Sequence, residues 1–89
     1  MLSRTSYGGE CTVIDAGTGE VFGRVWIDVE FRRGRREIAI AALDVPESTG
    51  ALLRDLGDLL LHLDDGRQLR GKVAIILSAE TIVTLTFED

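Results

Sequence analysis

The sequence predicts a small all-β protein, a six-stranded antiparallel barrel or sandwich made of two βββ meanders with one short helix between them. Two observations lead to this prediction. The side chains of residues 21–31, VFGRVWIDVEF, alternate with a period of two, which is typical of a strand with one buried face. A similar pattern returns after a shift of 48 positions, so the chain reads as two copies of one unit.

The two copies align without a gap over their first two strands. Cys11, Val13, Val21, Gly23, Val25, Ile27 and Val29 fall on Leu59, Leu61, Leu69, Gly71, Val73, Ile75 and Leu77. Each copy contains a strand, a glycine-containing turn and a longer strand, with the turns at 16–19 and 64–67. We expect the odd-numbered side chains of 21–31 and 69–77 to point into a shared interior. The alternative to duplication is that any two alternating strands of similar length align apolar on apolar.

The glycines at matching positions of the long strands, Gly23 and Gly71, lie on the expected inward face. A glycine inside a strand indicates a bend, a bulge or a close approach of another backbone. Curved sheets need such positions.

A third strand completes each copy. These strands are predicted at 36–43, REIAIAAL, and at 81–88, TIVTLTFE. One domain of 89 residues therefore divides into a first βββ unit at 10–43, a helical linker at 44–57 and a second βββ unit at 58–88. The last strand is β-branched and almost uncharged before its terminal acids, so as an edge strand it could pair with another chain.

One short helix is predicted within 44–57, DVPESTGALLRDLG. Asp44 and Glu47 have the spacing of a capping box, and Gly57 is a common helix stop. Gly50 weakens the middle of the helix by about 1 kcal/mol relative to alanine. In a barrel this helix would plug one end with the leucines that share a helical side, Leu52, Leu53 and Leu56.

Length and composition limit the classes of function. A chain of 89 residues, 45% of them hydrophobic, fits one soluble domain, and no apolar run is long enough to cross a membrane as a helix. The N-terminal residues lack the apolar region of a signal peptide, and the single cysteine cannot form an internal disulfide, so a cytoplasmic location is expected. The net charge of −5, concentrated in 44–66, disfavours a nucleic-acid partner because like charges repel.

The first candidate site is the outward face of strand 21–31. Phe22 and Trp26 lie on the side expected to meet solvent, Arg24 lies between them, and Ile76 is expected on the same kind of face in the second copy. Exposed aromatic and arginine side chains are typical of protein interfaces, and they can also stack on a base or sugar. The alternative is that the helix or the N-terminal ten residues, with Tyr7, cover the rings. A homodimer would satisfy both interpretations.

The second candidate site is the predicted hairpin 31–37, FRRGRRE. Its four arginines, Arg32, Arg33, Arg35 and Arg36, would form the most basic point of an acidic protein. Guanidinium groups bind phosphate and carboxylate in a bidentate manner. The hairpin could therefore bind a nucleotide or phosphorylated ligand, or an acidic partner such as 44–66 of a second copy. The alternative is a solvated loop that resists edge pairing.

The remaining reactive side chains form no catalytic or metal-binding pattern. His62 is the only histidine and is expected to face outward, with no second histidine or cysteine pair to complete a metal site. Cys11 aligns with Leu59 and is expected to be a small core residue rather than a nucleophile. The glycines of 17–23 lack the following helix that a phosphate loop requires. We therefore expect a non-enzymatic protein without cofactor or metal.

The C-terminal third, LLLHLDDGRQLRGKVAIILSAETIVTLTFED, resembles the closing strands of PilZ-type domains. Those are six-stranded β-barrels whose final strands carry a DG turn, a G-x-V element and a terminal Phe followed by an acid. The VFGRV stretch is similar to an earlier strand of that family. The resemblance implies a barrel scaffold.

The ligand of PilZ-type domains, cyclic di-GMP, is held by an R-x-x-x-R arm before the barrel and by a D/N-x-S-x-x-G element. Arg32 and Arg36 have the first spacing but belong to an internal hairpin. Asp44, Ser48 and Gly50 do not reproduce the second element. The resemblance therefore implies at most the members that act through protein contacts.

The sequence thus predicts an interaction module that binds a protein partner or a second copy. The contact would be the face of Phe22, Arg24, Trp26 and Ile76, or an exposed edge strand. The alternative is a receptor for a nucleotide or phosphorylated ligand at the four arginines of the hairpin. Neither function involves a membrane.

Overall fold

Six antiparallel strands close into a barrel in the order β1-β2-β3-β6-β5-β4. The computed structural model describes residues 6–32 and 38–87. Its elements are β1 (Ser6–Asp15), β2 (Val21–Arg32), β3 (Ile38–Leu43), α1 (Glu47–Leu56), β4 (Leu59–Leu63), β5 (Gln68–Ile76) and β6 (Thr81–Phe87). The predicted all-β fold with one short helix is confirmed, and the structure is a barrel rather than a sandwich.

The two βββ units face each other across the barrel. β1 pairs with β4, and β3 pairs with β6, so the units share one closed sheet. The ladder between β1 and β4 is centred on the pair Val13 and Leu61. These are residues that the 48-position shift superposes. The register within the two copies differs, because Val13 pairs with Gly23 whereas Leu61 pairs with Leu69.

The core fills the barrel with apolar side chains from alternate positions of every strand. Each additional buried CH₂ contributes about 0.8 kcal/mol, so these contacts are the main source of stability. Cys11 is fully buried among them, as expected. The buried apolar residues are Cys11, Val13, Ile27, Val29, Ala41, Leu43, Val45, Leu53, Leu59, Leu61, Leu63, Leu69, Val83 and Leu85.

A bulge at the start of β2 reverses the predicted alternation there. β1 pairs Val13 with Gly23 but Ile14 with Val21, so Phe22 is the extra residue. An extra residue moves the following side chains to the opposite face. Val21 precedes the extra residue and therefore has the opposite orientation to Ile27 and Val29, which follow it and are buried; the side chain of Val21 is 64% exposed. The prediction that all odd-numbered side chains of 21–31 point inward is therefore wrong at Val21.

A second bulge, near the end of β5, has the same effect. β5 pairs Val73 with Val83 and then Ile75 with Ile82, so one residue lies outside the regular pairing. Ile75 and Leu77 are 55% and 46% exposed, contrary to the prediction that odd-numbered side chains of 69–77 point inward.

β6 has neighbours on both sides. It pairs with β3 along one edge and with β5 along the other. Its backbone N–H and C=O groups are therefore used inside the barrel. The prediction that this strand is an exposed edge able to pair with another chain is wrong.

α1 begins at Glu47, with Pro46 as the N-cap residue and no side-chain capping hydrogen bond. The predicted capping box of Asp44 and Glu47 is therefore wrong, because Asp44 lies two residues before the N-cap. Gly57 ends the helix, as predicted, with φ of 85° and its N–H donating to the carbonyl of Arg54. No helix in the described parts of the chain combines the length and apolarity needed to cross a membrane.

α1 packs on one end of the barrel. Leu53 is fully buried and Leu56 packs against the core, as predicted, but Leu52 is 57% exposed. Gly50 is buried, and a Cβ atom there would overlap Oγ1 of Thr81. The glycine that weakens the isolated helix is what allows α1 to approach β6 this closely.

Candidate functional site

The outward face of β2 carries two exposed aromatic rings, as predicted. Trp26 is 50% exposed and Phe22 is 37% exposed. α1, one of the elements that the alternative interpretation places over these rings, packs against β5 instead. The indole of Trp26 is therefore a large apolar surface in contact with solvent.

Tyr7 does not cover the aromatic face, and residues 1–5 of the N-terminal ten lie outside the described residues. It lies on the inward side of β1, where Gly9 leaves space: a Cβ at Gly9 would be 2.9 Å from the Tyr7 hydroxyl. That hydroxyl donates to the carbonyl of Glu10 at 2.7 Å and accepts from the backbone N–H of Asp64 at 3.2 Å. Tyr7 thus closes the barrel end opposite α1, and its partial burial is structural.

Cross-strand pairing continues the outward face from β2 across β3 and β6. Asp28 pairs with Ala42, Ala42 with Ile82, and Ile82 with Ile75 of β5. Two concavities of about 350 and 550 Å³ lie on this surface and share Asp28 and Ala42. We call the combined surface the outer groove; its principal residues are Trp26, Asp28, Ile40, Ala42, Glu80 and Ile82.

Two backbone hydrogen bonds fix the polar end of the outer groove. The N–H of Asp44 donates to the carbonyl of Trp26 at 2.9 Å, which holds Asp44 beside the indole-bearing residue. The N–H of Leu77 donates to the carbonyl of Glu80 at 2.8 Å and closes the turn between β5 and β6. The carboxylates of Asp44 and Glu80 therefore border the smaller concavity, which Trp26 also lines. Asp28 is the third carboxylate there.

The three carboxylates of the outer groove, Asp28, Asp44 and Glu80, form no salt bridge with any residue that the structure describes. Four other acidic side chains lie beside cations: Glu10 and Asp64 bind Arg24, Asp65 binds Arg67, and Asp58 lies near Arg70 and Lys72. Within the described part of the chain, the outer groove is therefore a negative region around an exposed indole with no cation beside its carboxylates.

Arg24 faces outward between Phe22 and Trp26, as predicted, but its guanidinium is engaged within the molecule. Its Nη2 lies 2.8 Å from Oδ2 of Asp64 and 3.2 Å from Oε1 of Glu10, and its Nη1 donates to Oγ1 of Thr12 at 2.9 Å. The hydrogen bonds to Asp64 and then Glu10 raise the pKa of Arg24 above its ordinary value. Arg24 therefore links β1, β2 and the turn after β4.

Ile76 does not lie on the aromatic face. After the bulge in β5 it pairs with the buried Thr81, and it lines a depression beside Ala51 and Arg54 of α1. Its Cγ2 would be 3.1 Å from a Cβ at Gly50, which confirms that it packs toward the helix. The prediction that Ile76 shares the outward face of Phe22 and Trp26 is wrong, because after the bulge Ile75 points outward and Ile76 points toward α1.

The arginine hairpin lies almost wholly outside the described residues. The backbone of Arg32 ends β2, whereas Arg33, Arg35 and Arg36 are not among the residues that the structure describes. The phosphorylated-ligand interpretation stays a prediction from the sequence. Within 6–32 and 38–87, no three His, Cys, Asp or Glu side chains are grouped so that they could hold a metal ion.

Cys11 is expected to react with Ellman's reagent far more slowly in the native protein than in the unfolded chain. Burial raises its pKa from 9.0 to about 11, against a smaller lowering by Arg24. This change alone lowers the thiolate population at pH 8 about 100-fold, since the thiolate is the reactive form. The test measures the reaction rate in buffer and in about 6 M guanidinium, a concentration that unfolds typical domains. Equal rates in the two conditions would contradict a core position for Cys11.

Several groove residues were missed from the sequence. Asp28 could have been found, because it follows Trp26 by two positions on the same predicted face. Asp44 and Glu80 come near Trp26, and Ile82 lies beside Ala42, only through the pairing of β3 with both β2 and β6. The alternation of side chains within one strand does not indicate which residues of the neighbouring strands lie opposite it.

Comparisons of the chain with protein-family models, curated proteins and solved structures find no match in any of the three.

Proposed function

We propose that this protein is a non-enzymatic interaction module that binds a protein partner, or a second copy of itself, through the outer groove. The observation that supports this most directly is the half-exposed Trp26 beside a concave floor of Ala42 and Ile82. Tryptophan is the residue most enriched at binding hot spots. A large ring that borders a cavity can be buried by a partner without rearranging the barrel.

Further apolar side chains extend the contact surface beyond Trp26. Ile40 of β3 and Ile75 of β5 are 37% and 55% exposed, and both lie on the outer side of strands joined to β2 through the sheet. A contiguous exposed apolar surface with a polar border is a general feature of protein interaction sites. The resemblance to PilZ-type domains that act through protein contacts supports the same class of function.

The test compares the wild-type protein with Trp26→Ser in two measurements. The first is affinity capture from lysate of the source cells, and the second is sedimentation velocity of the purified chain. Loss of the indole is expected to weaken the captured or self-associated complex about 30-fold or more, because hot-spot tryptophans contribute 2 kcal/mol or more. Leu52→Ser is the matched control, since Leu52 is an equally exposed apolar residue on α1, outside the outer groove.

A third variant separates this proposal from the arginine hairpin. Replacing Arg32, Arg33, Arg35 and Arg36 with serine should leave the Trp26-dependent complex nearly intact. The proposal is overturned if Trp26→Ser binds as the wild type does. If the four-arginine variant alone loses binding, the receptor interpretation takes its place. A cytoplasmic location remains part of the proposal, to be checked by fractionating the source cells.

A further inference from the structure

We propose that the outer groove receives an arginine or lysine side chain of its protein partner, stacked on the indole of Trp26 and surrounded by the carboxylates of Asp28, Asp44 and Glu80. The inference rests on the proposed function and adds the chemistry of the partner. The partner would present a basic residue with apolar residues on either side.

The sign of the charge is the first argument. Among residues 6–32 and 38–87, those that line the smaller concavity of the outer groove, about 350 Å³, include three acidic side chains and no basic one. Like charges held within one site repel each other in the free protein. A cationic group entering the site removes this repulsion, so binding is favoured by complementarity and not only by burial of the ring.

The arrangement of these groups suits an organic cation. Tryptophan is the aromatic residue that attracts cations most strongly, at distances up to about 6 Å from the ring centre. The carboxylates border the concavity from β2, from the chain after β3 and from the turn before β6, and they do not form a cluster able to hold a metal ion. A planar guanidinium with five donors can stack on the ring and still reach more than one carboxylate.

The apolar floor indicates what lies beside the cation. Ala42 is shared by both concavities, and Ile82 and Ile40 line the larger one together with the acidic Asp28 and Glu30, so the surface becomes more apolar away from Trp26. A partner segment that places a basic side chain near Trp26 can lay apolar neighbours on this floor. An alternating basic and apolar segment matches this layout.

Charge also argues against a second copy bound through the same surface. In a two-fold contact the same patch lies on both sides of the interface. Asp28, Asp44 and Glu80 of one molecule would then face the same carboxylates of the other, and like-charge contacts of this kind disfavour association. A basic segment of a partner, and not the same groove of a second copy, is the occupant that the groove fits.

Trp26 is the chain's only tryptophan, so its fluorescence reports directly on the proposed site. The probe is the peptide acetyl-Val-Arg-Val-amide, and its control contains citrulline, which has the shape of arginine without the charge. The arginine peptide is expected to quench the emission with an affinity on the order of 1 mM, and the citrulline peptide to bind about tenfold more weakly. The amide chemical shifts of Ala42 and Ala79 provide a second readout.

The double variant Asp44→Asn/Glu80→Gln is expected to weaken binding of the arginine peptide about tenfold. Its control, Asp55→Asn/Asp65→Asn, removes the same charge from the exposed face of α1 and from the turn after β4, and should bind as the wild type does. Equal binding of the two peptides, no response to either, or an undiminished affinity of the double variant would each overturn the cation site.

The capture experiment shows which proposal has failed. If Trp26→Ser loses the partner while Asp44→Asn/Glu80→Gln retains it fully, the interaction surface stands and the cation site is wrong. If Trp26→Ser retains the partner, the proposed function itself is wrong. A sedimentation experiment in which a dimer is lost on Trp26→Ser but strengthened by the double variant would assign the groove to self-association and overturn the basic-partner inference.

Discussion

Leu53→Ala is expected to lower the free energy of unfolding by about 2–5 kcal/mol. Leu53 is fully buried and is the only large side chain that α1 inserts completely into the core. The truncation leaves a cavity under the helix, and the close contact of Gly50 with Thr81 prevents α1 from sinking to fill it. Urea denaturation followed by circular dichroism measures the change.

The neighbouring residue provides a matched control. Leu52→Ala removes the same atoms from a side chain that is 57% exposed, so the expected change is within about 0.5 kcal/mol. Equal losses for the two variants would mean that α1 presents a different face to the barrel. The order expected from the structure is therefore a large effect at Leu53 and almost none at Leu52.

The different environments of Leu52 and Leu53 also show what the sequence could not predict about the helix. The apolar spacing correctly identified Leu53 and Leu56 as core residues. Leu52 lies beside them on a helical projection, but one end of a small barrel accepts only a narrow apolar stripe. Which leucine is excluded depends on where Gly50 meets Thr81, a contact between residues far apart in the chain.

The two sets of three strands were predictable because period-two alternation is a local signal and the pattern repeats along the chain. The choice between a barrel and a sandwich was not, because closure depends on the pairing of β1 with β4 and of β3 with β6. The regular parts of β2, around Ile27 and Val29, bury the side chains that alternation assigns to the core. The signal failed at the two bulges, because one extra residue reverses every orientation beyond it. This reversal exposes Ile75 and turns Ile76 toward α1, and no local pattern of apolar residues marks where it occurs.

The candidate site was only half predictable for a similar reason. Trp26 and Phe22 were identified because an aromatic ring on a polar face is visible in one strand. The acidic border was not, although the sequence showed that the excess of acid lies in 44–66. Several of those acids, among them Asp58 and Asp64, lie beside basic residues, and what distinguishes Asp44 is that it lies in the groove without one.

The two glycines that the repeat superposes have different roles in the barrel. Gly23 follows the bulge in β2, and a Cβ atom there would meet no other atom within 4 Å. Gly71 of β5 is buried, and its Cβ would overlap the backbone carbonyl of Thr84 and lie 2.5 Å from Cδ2 of Leu85. Only the second position therefore brings two strands so close that a side chain cannot fit.

Gly71→Ala is expected to destabilise the protein by about 3 kcal/mol or more, at the upper end of the range for overpacked cores. A side chain can move away from an added methyl group, but the carbonyl of Thr84 belongs to a strand that is paired on both sides. Relief requires β5 and β6 to separate locally. The free energy of unfolding of a typical domain is only about 5–15 kcal/mol, so this substitution would remove a large part of it.

Gly8→Ala is the control for this substitution, since its Cβ would lie 3.1 Å from Oδ1 of Asp28, an exposed carboxylate that can move. Its expected effect is within about 0.5 kcal/mol. Shortening the neighbouring side chain in Gly71→Ala/Leu85→Val should not restore stability, because the carbonyl remains in place. Full recovery in that double variant would show that side-chain crowding, and not the approach of the two backbones, makes glycine necessary at this position.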